Sequence, residues 1–164
     1  MRYLVMGVAA AALAAGAQAQ QPAWGYFDAD GSSGAGVQAA NGAQFMLKCD
    51  KPGRGEVYAV VVSVENLVPP NNTRFQMRPA MLRFDDGAES EERWRFCERS
   101  AVAVNQSTER TLERLLLGLS DADNFRIRLN PERARWVEMT FPVTGAKDAI
   151  ARVYESGEDD NPLG

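Results

Sequence analysis

Histidine is absent from this 164-residue chain. Without an imidazole, Ser-His-Asp and Cys-His catalysis are excluded, as is nearly every zinc hydrolase site. Lysine is scarce. Lys48, Lys51 and Lys147 are the whole set, and none stands in a Ser-x-x-Lys motif, which argues against a serine-lysine hydrolase. No Gly-x-x-x-x-Gly-Lys or Gly-x-Gly-x-x-Gly element follows a strand, so no cofactor is expected. Two cysteines cannot supply the four ligands of a structural zinc. Asp28-Ala-Asp30-Gly-Ser32 has the opening of a calcium loop, but Ser33 holds the glycine position and Ala39 the final glutamate position. It reads as a polar turn, and no metal site is expected. A paired-carboxylate enzyme needs only spatial neighbours, and Glu89, Glu91, Glu92 and Glu98 are available. Those acids serve more simply as cross-strand partners for arginines.

The chain begins with one long apolar run. Met1-Arg2 is a minimal basic start, Tyr3 to Ala15 is apolar, and Ala17-Gln18-Ala19 is a small-x-small cleavage site. Residues 1–19 therefore read as a secretory signal peptide, cleaved near Ala19. The apolar run is short of the ~20 residues that would span a membrane. No cysteine follows the site to take a lipid, and a single arginine argues against twin-arginine export. A periplasmic or secreted location is expected, with no integral membrane segment in the mature chain. The formal charge of −4 becomes one unit more negative once Arg2 is removed, which argues against a nucleic-acid partner.

The remaining chain suits one domain over residues 20–156, followed by a loose acidic tail over 157–164. Glu56 to Glu65 is the strongest β-forming run, with apolar residues on both alternating faces, and so reads as a central strand between two layers. Leu82-Arg-Phe84 and Arg93-Trp-Arg-Phe96 alternate around Asp85-Asp86-Gly87, as a hairpin does. Trp24 to Asp28 is a first strand, Gly31-Ser-Ser-Gly34 a turn, and Asn41-Gly42 the sharpest hairpin signal. Pro52 to Gly55 and Pro69 to Asn72 are turns, and Pro79 marks an edge or bulge. Leu112, Leu115, Leu116 and Leu119 form a helical stripe, capped by Ser107. Phe125, Ile127 and Leu129 alternate with arginines, and Asn130-Pro131 turns the chain into Val137, Met139 and Phe141. Pro142 ends that strand. A last helix, stopped by Gly157, carries Ala146, Ala149, Ile150, Val153 and Tyr154. The expected fold is mainly β (α+β), an antiparallel β-sandwich or roll with two short capping helices.

Alternation turns Arg93, Arg95, Arg99, Arg126 and Arg128 outward, where adjacent strands could merge them into a stripe. Arginine forks suit carboxylates and phosphates, so this is the candidate binding face; interleaved acids make a mixed-charge face the plainer alternative. The three tryptophans, Trp24, Trp94 and Trp136, read as core or half-buried sheet residues. An even cysteine count in an exported chain favours a Cys49–Cys97 disulfide, contributing roughly 4 kcal/mol on the chain-entropy model; two free thiols are the alternative. The phases conflict, since Cys49 faces inward and Cys97 outward, unless a bulge intervenes near Phe96.

The segments Phe45-Met-Leu-Lys-Cys49, Leu82-Arg-Phe-Asp-Asp-Gly87 and Phe141-Pro-Val-Thr-Gly-Ala-Lys-Asp-Ala-Ile150 carry a resemblance. With the Trp24 strand and the leader, they resemble small exported proteobacterial proteins of the invasion-associated locus B family. They are also similar to type VI secretion accessory proteins of the VasI type. The resemblance implies a β-rich envelope domain without enzymatic activity and supplies no catalytic residues. Some relatives place a cysteine near the end of the last helix, whereas Glu155-Ser-Gly157 has none. The function expected is an exported, non-enzymatic interaction protein of the envelope, partnered by another envelope or secreted protein. A small periplasmic inhibitor of a hydrolase is the alternative, and a carboxylate-based enzyme a distant third.

Overall fold

The computed structural model describes residues 24–29, 31–50, 57–67, 76–96, 102–105, 109–132 and 135–164. The leader, the turns at 52–55 and 69–72, Ser107, Cys97 and Arg99 lie outside the described residues. The chain order is β1 (Gly25–Ala29), β2 (Ser32–Gln38), β3 (Gln44–Cys49), β4 (Val57–Val62), β5 (Gln76–Phe84), β6 (Ser90–Phe96) and β7 (Val102–Val104). Then come α1 (Glu109–Ser120), β8 (Asn124–Glu132), β9 (Arg135–Pro142) and α2 (Ala146–Ser156). The strands form one antiparallel sheet in the order β1-β2-β3-β4-β7-β6-β5-β8-β9. The fold is mainly β with two short helices, as the periodicities predict.

That single sheet curls on itself, which makes it a roll. Phe45 on β3 has its ring centroid 5.1 Å from Phe125 on β8 and 5.8 Å from Phe141 on β9. In a flat sheet, strands five places apart would stand roughly 24 Å from one another. Only curvature brings those rings into contact. Alternate residues of every strand from β2 to β9 meet inside, including Leu47, Val61, Leu82, Trp94, Phe96, Ile127 and Met139. Leu115, Leu116 and Leu119 of α1 and the whole expected stripe of α2 are buried in the same core. Trp24 joins it, its ring edge-on to Phe45 and its indole N–H donating to the Val143 carbonyl.

The turn at Asn41-Gly42 forms as expected. Gly42 adopts φ 91°, Ala39 and Ala43 are bonded across it, and the Asn41 side chain accepts from the Ala43 amide. Pro79 also sits where expected, because β5 pairs with β8 only from Ala80 onward and Pro79 has no partner on that side.

Three expectations need correction. Ser32, Ser33 and Gly34 belong to β2, not to a turn. Gly34 is required there by crowding, since a Cβ would lie 2.5 Å from the Leu47 carbonyl oxygen and would collide with the edge of the Phe27 ring. Asn130 and Pro131 likewise continue β8, at an irregularity in register between Leu129 and Glu132. A bulge accommodates the missing proline N–H, and β5 no longer pairs there. Val60, on the outer face of β4, is only 5% exposed, in keeping with a strand that carries apolar residues on both faces. The segment after Gly157 is tied back. The amides of Gly157, Glu158 and Asp159 bond the last turn of α2, and Leu163 packs against the core.

Candidate functional site

Strand alternation sets the outer face of the roll, and the register fixes which side chains adjoin. One row runs Met46, Val60, Val104, Arg95 and Met77 across β3, β4, β7, β6 and β5. Arg93 stands beside Arg95 on β6, opposite Pro79. Its guanidinium donates to the Met77 carbonyl at 3.0 Å and makes no ion pair among the described residues. Arg126 and Arg128 lie on β8, opposite Arg83 and Met81 of β5. The two arginine pairs therefore do not adjoin; the Met77, Pro79, Met81 column of β5 separates them.

The β8 arginines are engaged. Glu89, in the loop before β6, accepts from Arg126 at 3.1 Å and from Arg128 at 2.7 Å, one oxygen each. Glu138 of β9 adds a longer contact to Arg126 at 3.8 Å, and Arg83 faces Asp86 at 3.7 Å. The Arg128 guanidinium also lies 5.2 Å from the Trp136 ring centre, over an indole that is 43% exposed. Trp24 and Trp94 are core residues, so Trp136 is the tryptophan that meets solvent. The face is thus a half-buried apolar field crossed by arginine, neutralised at its β8 side and cationic at Arg93.

A second region lies at the end of the roll beneath α1. Ser90 and Glu92 share the inward phase of Trp94, and with Leu82, Phe84, Arg114 and Leu115 they line a cavity of about 170 Å³ that Glu91 also borders. The Trp94 indole N–H donates to Glu92 at 3.3 Å. Burial pushes the Glu92 carboxyl above its ordinary range, against the opposing pull of Trp94 and Arg114. The two acids at this cavity are sequence neighbours on opposite faces of β6, which is not the facing pair a glycosidase requires.

A third polar group ties strand ends together. Asp50 accepts from Ser32 at 2.7 Å and from the Tyr58 hydroxyl, and pairs with Lys48 at 3.3 Å. The Ser32 and Tyr58 bonds hold its carboxyl below the usual value. Cys49 is a buried free thiol beneath the end of α2. No group of residues that could hold a metal ion occurs among the described residues. No described helix is long and apolar enough to cross a membrane. Searches against family models, curated proteins and solved structures return no match to this chain.

The shared inward phase of Ser90, Glu92 and Trp94 on β6 is a sign, legible in the alternation alone, of a carboxylate under the core edge. The β5 column between the arginines had no such sign, because it depends on strand order.

Proposed function

We propose that this is an exported, envelope-associated interaction protein that binds another exported protein through the outer face of its sheet. The observation that supports this reading is the row Met46, Val60, Val104, Arg95 and Met77, with Arg93 beside it. Half-buried apolar side chains facing out of a sheet and interleaved with arginine have the composition of a recognition patch. Arg93 carries a charge that no described carboxylate balances, so the partner surface presents acidic groups around an apolar centre. The leader-like start of the chain supports export.

The test is affinity capture from periplasmic extract, followed by reconstitution with the purified captured protein. Binding that weakens as salt rises, is lost in Arg93→Glu and Met77→Glu, and survives in Arg152→Glu supports the reading. Binding indifferent to the first two variants, or no specific protein at all, overturns it. Recovery of a hydrolase that the protein inhibits would favour the inhibitor instead.

A further inference from the structure

We propose that the cavity beneath α1 binds a compact zwitterion, an α-amino acid with an apolar side chain, its ammonium on Glu92 and its carboxylate on Arg114. The inference is independent of the outer face, which lies on the other side of the sheet. Glu92 enters from β6 and Arg114 from α1, and both border the same cavity of about 170 Å³. They are close enough for Arg114 to act on Glu92 electrostatically, yet no ion pair closes between them among the described residues. One Glu92 oxygen takes the Trp94 indole N–H; the other takes no hydrogen bond among the described residues. Arg114 likewise has no hydrogen-bond or ion-pair partner there. Two opposite charges with unused capacity thus share one small space.

A lone cation would be attracted by Glu92 and repelled by Arg114, and a lone anion the reverse. A molecule carrying both charges a few bonds apart satisfies both walls. The remaining lining fixes its third substituent. Leu82, Phe84 and Leu115 are apolar and Ser90 offers a hydroxyl, so an apolar side chain is accommodated. The volume is well below the ~300–1,000 Å³ of sites for drug-sized ligands, which suits a molecule the size of an amino acid. Gly118 of α1 helps keep the pocket's shape, because a Cβ there would collide with the Phe84 ring that lines it.

The experiment is a titration of the purified protein with L-leucine, followed by NMR at the Trp94 indole N–H, assigned through Trp94→Phe. A saturable shift is expected. Leucinamide, which lacks the carboxylate, and 4-methylpentanoate, which lacks the ammonium, should each bind at least about tenfold more weakly. Glu92→Gln and Arg114→Gln should weaken leucine binding by a similar factor with unchanged circular dichroism, and Glu155→Gln, an exposed α2 position away from the cavity, should leave it intact. No saturable shift with leucine, alanine or phenylalanine overturns the proposal. So does leucinamide binding as well as leucine, or unchanged leucine binding in both Glu92→Gln and Arg114→Gln.

Discussion

Asp85 and Asn124 are bound to each other twice: the Asp85 amide donates to the Asn124 carbonyl at 2.9 Å, and the Asn124 amide donates to the Asp85 carboxylate at 2.8 Å. The Asp123 amide reaches the same carboxylate at 3.2 Å. Asp123 in turn accepts from the Thr144 hydroxyl and the Val143 amide, both at 2.8 Å. The tip after β5, the entry to β8 and the entry to α2 are thereby linked through two aspartates. Asp85 also adopts φ 45°, a conformation that suits Asp, Asn and Gly. Asp85→Ala should lower stability by about 2 kcal/mol, and Asp85→Asn, which keeps one acceptor and tolerates the backbone, by clearly less. Urea midpoints of the three proteins check this.

Gly34→Ala should be more damaging than its size suggests. The added methyl meets the Leu47 carbonyl, which is part of the β3 backbone and cannot swing aside. A loss of about 3 kcal/mol is expected from overpacking. Gly31→Ala, where a Cβ meets nothing but φ is 75°, should lose only about 1 kcal/mol. Thermal melts of both variants decide the order.

Tyr154 makes stability fall at high pH. Burial, with Asp159 and Cys49 nearby, pushes its hydroxyl up to about 12. The unfolded chain releases the proton near 10, so the folded state holds one proton more between about pH 10 and 12. Its contribution is fully present below pH 10 and is lost as pH rises through 12, by an amount on the order of 2 kcal/mol. Urea titrations from pH 9 to 12 should show the decline, reduced in Tyr154→Phe. Absorbance at the phenolate band should place one late-titrating tyrosine.

The Cys49 thiol should be free and shielded, because its side chain is fully buried in the core. Denatured protein, without reductant, should expose it to a thiol reagent. Native protein should react slowly at Cys49, which lies beneath Gly157. A denatured titration of zero would establish the bridge instead.

Local patterns were readable and long-range ones were not. The helix stripes and the Asn41-Gly42 turn depend on residues a few positions apart, and each forms as the periodicity says. Gly34 and Pro131 misled for one reason. Both are residues of turns, yet here glycine makes room for the Phe27 ring and proline occupies a bulge. At the candidate sites, facing direction was legible from alternation, as for Arg93 and Arg128, but adjacency was not. That β5 separates the arginine pairs follows from β5 pairing with β6 on one side and β8 on the other, and the second pairing is a choice no local run encodes. The pocket under α1 joins Glu92 to Arg114 by the same kind of distant pairing.

The strand order also governs how the chain can fold while it is made or threaded from its N-terminus. β3 and β4 can zip together at once, but the far side of β4 waits for β7, some forty residues later. Phe45 waits longer still, for Phe125 and Phe141. Until then the most β-prone run of the chain presents an open edge and an uncovered apolar face. Topologies of this kind fold slowly and are open to mispairing on the way. The finished roll therefore implies a vulnerable nascent chain, one whose yield depends on being shielded until α2 has emerged.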